Sequence, residues 1–175
     1  MAEDLKKYIR SVKDFPKPGI VFRDITTLLK DPEALRITLK QLYECSKDLK
    51  ITKVCGIEAR GFMLGAMLAE RLNVGFVPIR KPGKLPSKTE KEVYELEYGT
   101  DAVEIHLDAI SKGDSVLLHD DLLATGGTAR TAANLIEKLG GKVVQISFII
   151  ELGFLKGREK LKNYDVRALI TYDSE

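Results

Sequence analysis

Val116-Leu117-Leu118-His119-Asp120-Asp121-Leu122-Leu123-Ala124-Thr125-Gly126-Gly127-Thr128 passes from an apolar run through two adjacent carboxylates into a loop of small residues. The run over residues 115–119 has the length and composition of a strand buried on both faces in the middle of a sheet. Beyond the loop, Ala132, Leu135, Ile136 and Leu139 trace one helical face and Gly140-Gly141 supplies a stop, so a helix starts near Gly127 or Thr128. Such a strand–loop–helix turn offers several backbone N–H groups and the hydroxyls of Thr125 and Thr128 to one tetrahedral anion, at the positive end of a helix dipole. A bare Thr-Gly-Gly-Thr is also an ordinary threonine-capped turn. The preceding Asp120 and Asp121 tip the reading, because neighbouring carboxylates ahead of an anion site are costly unless vicinal hydroxyls and a divalent cation use their charge. A ribose carrying phosphates meets that description. No Gly-Lys-Ser/Thr P-loop and no GxGxxG dinucleotide motif competes with it.

Strands and helices alternate on both sides of this segment. The spacing predicts a short helix over 4–12, a Pro/Gly loop over 14–19, an extended stretch over 20–22, and a helix capped by Asp31 with Pro32 at its first position, running to about Lys47. A strand over 54–57, a helix over 61–72 and a strand over 75–79 follow. Residues 81–100, rich in Gly, Pro, Lys and Glu, read as a long mobile loop of the kind that closes over ligands or is simply solvated. An edge strand over 103–106, the central strand and its helix, a strand over 143–150, a turn or short helix over 156–161 and a strand over 166–171 complete the chain. The expectation is one α/β domain over 1–175, a mainly parallel sheet flanked by helices, with ligands beyond the carboxyl ends of the strands.

The 175 residues are 44% hydrophobic and 31% charged, a balance suited to one domain with a proper core. The 28 basic and 26 acidic residues are interspersed, leaving a net charge of +2 and nothing like the one-signed surface of a nucleic-acid binder. No stretch approaches the roughly 18 apolar residues of a membrane span, and the N-terminus lacks a signal-like apolar core, so a cytoplasmic, membrane-free protein is expected. Cys45 and Cys55, like His106 and His119, stand at no metal-ligand spacing; both thiols are expected as buried small hydrophobes, and His119 as a packed or partly exposed histidine.

Residues 116–128 resemble the phosphoribosyl pyrophosphate signature of the type I phosphoribosyltransferases, and Asp-Asp-Leu-Leu-Ala-Thr-Gly-Gly-Thr is similar to its adenine-specific branch. Phe15-Pro16-Lys17-Pro18-Gly19-Ile20-Val21-Phe22-Arg23-Asp24 resembles that branch's base-binding segment, and Glu58-Ala59-Arg60-Gly61-Phe62 its pyrophosphate-side loop. Ile79 to Pro86 and Leu96-Glu97-Tyr98-Gly99 resemble the two ends of its mobile loop. Glu151-Leu152 through Lys156-Gly157-Arg158 resembles its hood.

The resemblance implies a type I phosphoribosyltransferase fold, with a hood from about 1–30 and 151–165 and a closing loop over about 81–100. It implies that Ala124, Thr125, Gly126, Gly127 and Thr128 hold the 5′-phosphate and that Asp120 and Asp121 bind the ribose. Arg60, Lys81 and Lys84 would gather the pyrophosphate, with Mg2+ held mainly by substrate oxygens and water. Phe22 and Leu152 would wall the base while the backbone of Val21 and Arg23 reads its edge. Glu97 would assist the reaction from the closed loop and Tyr98 would exclude water. A homodimer, with residues 60–84 near the partner, belongs to the same expectation. Two alternatives stay open: a phosphoribosyltransferase for another purine, and a non-catalytic nucleotide-sensing regulator on the same fold.

Overall fold

The computed structural model describes residues 5–95 and 100–175. Leu5–Tyr8 forms a short 3-10 helix, after which Arg10–Lys13 (β1) and Val21–Asp24 (β2) pair antiparallel with Val12 opposite Phe22. This corrects the helix expected over 4–12. Leu5 and Ile9, four residues apart, are buried as a helical pattern requires. From Arg10 onward, however, the backbone finds its hydrogen-bond partners in β2 instead of along its own axis.

A single helical turn, Thr26–Leu29 (α1), leads into Pro32–Ser46 (α2). The expected cap is present: the Asp31 carboxylate accepts from the N–H groups of Glu33 at 3.0 Å and Ala34 at 2.8 Å, with Pro32 at the first helical position. Cys45 is exposed near the end of α2, against expectation, because it lies off the stripe formed by Ala34, Thr38, Leu42 and Ser46; Cys55 is buried as expected.

The remaining elements are Lys53–Ile57 (β3), Arg60–Leu72 (α3), Gly75–Ile79 (β4), Thr89–Glu95 (β5), Thr100–His106 (β6), Ser115–Leu123 (β7), Gly127–Lys138 (α4), Lys142–Leu152 (β8) and Val166–Tyr172 (β9). Five strands form a parallel sheet in the order β4-β3-β7-β8-β9. Neighbouring residues of one strand enter different cores: Val54 and Leu117 join the cluster under α2 and α3, while Cys55 and Leu118 join the cluster under α4. Both faces are therefore dry, which is why these strands read as unbroken apolar runs, and each fully buried Leu or Ile contributes about 1.5–3 kcal/mol. The chain steps from β3 outward to β4, then returns to β7 on the other side of β3. Strand order thus reverses between β3 and β7, and a crevice opens beyond their carboxyl ends.

Residues 81–100 are not a structureless loop. β5 lies within that span and pairs along its length with β6, with Thr89 opposite His106 and Glu95 opposite Thr100, while an isolated bridge joins Arg80 to Glu104. The ribbon rests on α4. Glu90 and Glu92 turn toward that helix, bonding Lys138 and Asn134, whereas Val93 is 57% exposed. Charge inward and valine outward invert the usual alternation, so hydropathy alone conceals the strand.

Candidate active site

Arg60 opens α3 directly after β3, and Asp120 and Asp121 lie near the end of β7, so the strand-order reversal brings them together. The Nε of Arg60 donates to Oδ2 of Asp121, which is only 4% exposed. Burial works against the Arg60 charge, but Asp121 and, more weakly, Asp120 outweigh it and raise its pKa. Asp120 has its carboxyl pushed well above the ordinary range, first by burial and then by the charge of Asp121. The pair therefore holds a proton more readily than two separate carboxylates, until a cation or a ribose hydroxyl arrives to share the charge.

A cavity of about 240 Å³ opens over these groups, lined among others by Glu58, Arg60, Lys81, Tyr94, Asp120 and Thr128. Glu58 fixes its rim: Oε2 accepts from the Lys81 N–H at 2.8 Å and from Arg80 Nε at 3.2 Å. The Glu58–Ala59 peptide bond beside Arg60 is cis. The Lys81 ammonium donates to Oδ2 of Asp101 and, at 3.4 Å, to the Tyr94 hydroxyl. Lys84 does not line this cavity. The residue is exposed, and its backbone carbonyl accepts from Arg80.

An adjoining cavity is lined by Asp120, Leu122, Leu123 and the whole segment Ala124–Thr128. Gly126 adopts φ +79°, and a β-carbon there would stand 2.4 Å from the carbonyl oxygen of Gly157. Reciprocally, a β-carbon on Gly157 would stand 2.2 Å from the carbonyl oxygen of Ala124. The loop is thus seated backbone to backbone on the 3-10 helix Gly157–Leu161, which leaves its other side free for an anion at the start of α4. Arg158 anchors that helix by donating both Nε and Nη2 to Glu151, each at 2.7 Å.

The groups assigned to a base stand farther out. Phe22 lies under the Arg60 guanidinium, 5.5 Å from carbon to ring centre, and meets Phe15 edge-on. Asp24, held down to about 2 by the Thr26 N–H and then by Arg10, pins the end of β2. Arg23 stacks 4.0 Å over the ring of Tyr172, which pairs in register with Leu152. That contact ties the N-terminal ribbon carrying Val21, Phe22 and Arg23 to the strand ends carrying Leu152. Phe22 and Leu152 are both partly buried, and neither lines the two cavities. Glu97 and Tyr98 lie outside the described residues.

The structure therefore unites Arg60, Lys81, Asp120, Asp121 and 124–128 and leaves Lys84 outside. It adds Glu58, Tyr94 and Asp101, to which the sequence reading gave no role. Glu58 stood within a quoted motif, but Tyr94 and Asp101 belong to the concealed ribbon and carried no local signal. The acids facing the main cavity supply hard oxygen donors, yet among the described residues no cluster of three His, Cys, Asp or Glu is grouped to hold a metal unaided. Hard oxygens of this kind suit magnesium.

Residues 24–172 match the family model of the phosphoribosyl transferase domain. The chain is 59% identical to an adenine phosphoribosyltransferase of Christiangramia forsetii over 169 residues, covering 97% of this chain and 99% of that one. It is 56% identical to the Desulfitobacterium hafniense enzyme of the same name, covering 98% and 99%. Its structure superposes on the crystal structure of adenine phosphoribosyltransferase from Thermoanaerobacter pseudethanolicus with a TM-score of 0.95 at 52% identity, covering 98% and 100% of the two chains. The Saccharomyces cerevisiae enzyme, solved with D-2,5-dideoxy-2,5-imino-altritol 1,6-bisphosphate and adenine, gives 0.90 at 41% identity, covering 96% and 97%.

Proposed function

The chain belongs to the phosphoribosyltransferase family, among the adenine phosphoribosyltransferases, and from that premise we infer that it transfers the 5-phosphoribosyl group from phosphoribosyl pyrophosphate to adenine, yielding AMP and pyrophosphate. The observation that carries this reading is the convergence of a phosphate-sized loop, an acidic pair and two cations at the strand-order reversal. The yeast relative's bisphosphate and adenine match a site with two anion-binding ends and a place for a base.

Segment 124–128 takes the 5′-phosphate on its N–H groups and hydroxyls, fixing one end of the donor. Asp120 and Asp121 accept from the ribose hydroxyls, and Arg60 and Lys81 face the pyrophosphate, with Lys84 joining them only when its segment folds inward. A ring nitrogen of adenine then bonds to the anomeric carbon as the bond to pyrophosphate breaks, the electron pair leaving on pyrophosphate and the proton of the adenine imidazole ring passing to the departing pyrophosphate or to water. Positive charge grows on the sugar during that exchange, and the carboxylates beneath it favour the transition state over the ground state. Magnesium would be held mainly by substrate oxygens and water and would supply positive charge to the leaving pyrophosphate. Phe22 and Leu152 close on the faces of adenine, and the backbone of Val21 and Arg23 distinguishes an amino from an oxo edge. Glu97 assists from the segment between β5 and β6, with Tyr98 excluding water.

A homodimer is part of this reading. Met63 and Met67, 42% and 37% exposed, lie one turn apart on the outer face of α3, and edge strand β4 is adjacent. No described helix is long and apolar enough to cross a membrane, and a cytoplasmic location belongs to the same reading.

Pyrophosphate release tests the assignment, with phosphoribosyl pyrophosphate, magnesium and one base at a time. Release with adenine alone is expected. Release with hypoxanthine, guanine or xanthine instead would overturn the base assignment, and release with none would favour a nucleotide-sensing regulator.

A further inference from the structure

The Lys81 ammonium is paired with a carboxylate that is not part of either cavity. Asp101, at the start of β6, lies behind the rim, with side chains of Lys81 and Asp101 40% and 28% exposed. Its two oxygens divide their work. Oδ1 accepts from the N–H of Ala102 at 2.8 Å, while Oδ2 accepts from the Tyr94 hydroxyl at 3.0 Å and from the Lys81 ammonium. The backbone of Lys81 is held separately by Glu58, so its ammonium can change partners without moving the chain. Tyr94 also accepts from Oγ1 of Thr128 at 3.2 Å, joining this cluster to the phosphate loop.

We propose that Asp101 is an internal stand-in for pyrophosphate: its carboxylate holds Lys81 while the site is empty and yields it to a phosphate oxygen when pyrophosphate or its donor binds. The proposal rests on the assignment of Lys81 to pyrophosphate. The exchange is inexpensive because Asp101 keeps two donors, the Ala102 N–H and the Tyr94 hydroxyl, after Lys81 leaves, so no buried acceptor is orphaned. Arg60 has no comparable freedom, since its partner Asp121 is buried inside the site itself. Competition by Asp101 weakens the hold on pyrophosphate and hastens its departure as product, in a ribbon that stays docked through Tyr94.

The test is calorimetric titration of inorganic pyrophosphate, in excess magnesium and low salt, into the full chain and into Asp101→Asn, Lys81→Met and the double variant. Asp101→Asn is expected to bind about two- to fivefold more tightly, the range set by a partly exposed ion pair. Damage to the site would act in the opposite direction. In the Lys81→Met background the same change is expected to have no effect, which separates exchange from mere removal of a negative charge. Unchanged or weaker binding by Asp101→Asn, with Lys81→Met impaired, overturns the stand-in. An equal gain in both backgrounds also overturns it. Full affinity in Lys81→Met instead removes the assignment of Lys81, and the proposal with it. Asp101→Ala, which cannot hold the ammonium at all, provides a second reading should the asparagine variant fold poorly.

Discussion

Directly before the acidic pair, His119 is fully buried, with Nδ1 2.9 Å from the hydroxyl of Ser147 and Nε2 lacking a partner among the described groups. Burial lowers its pKa from 6.5 to about 4, against a weaker opposing pull from Asp121. The unfolded chain therefore takes up a proton near 6.5 that the folded chain refuses until about 4. The contribution is fully present above 6.5 and is lost progressively as pH falls toward 4, to a total of about 3 kcal/mol. His119→Asn is expected to flatten the acid limb of stability, measured as urea midpoints at pH 7 and pH 4.5; an unaltered slope would show that another group sets it. Asp120, whose pKa is raised, acts in the opposite sense, so the difference between variant and parent isolates the histidine. The sequence left His119 as packed or partly exposed, and the structure buries it completely. The raised pKa of Asp120 follows first from burial and then from the charge of Asp121; the neighbouring carboxylate is plain in the sequence, but the burial is decided by how the end of β7 packs.

Among the elements, the short 3-10 helix Gly157–Leu161 has the closest hold on the site, because Gly157 and Gly126 touch where neither tolerates a β-carbon. Gly157→Ala would drive a methyl group into the carbonyl of Ala124 and Cδ1 of Leu123, at 2.2 and 2.9 Å, and the cheapest relief is a shift of the phosphate loop. A KM for phosphoribosyl pyrophosphate raised about tenfold is expected, with a smaller effect on adenine and a stability loss of about 1–3 kcal/mol. Steady-state kinetics with each substrate varied in turn would check this, and equal effects on both KM values would show a general loosening. The loop and the hood were each legible as motifs; their contact was not, since more than 30 residues separate them. Strand β5 was missed for another reason. Its glutamates answer to Lys138 and Asn134 on α4, a relation invisible to any window that holds only the strand.

For the whole molecule, the remaining prediction concerns assembly. Lysines at Met63 and Met67 should convert a dimer to a monomer in sedimentation velocity, by placing charge in a dry contact; a wild-type chain that sediments as a monomer would contradict the dimer itself. The parallel sheet and its two helical layers were readable beforehand. Apolar runs, the Asp31-Pro32 cap and the glycine stop are local signals, and alternating strands and helices leave few topologies. The sequence alone thus determined the class of fold, through its run of alternating elements, and marked out the loop over 125–128 and the acidic pair on which the proposed function rests, because each of these two is a short contiguous stretch. Only the tertiary structure decided that Arg60 and Lys81 reach the cavity and that Tyr94 and Asp101 stand with Lys81. Those relations join residues 13 to 61 positions apart, and they depend on how the strand order reverses and the ribbon folds back.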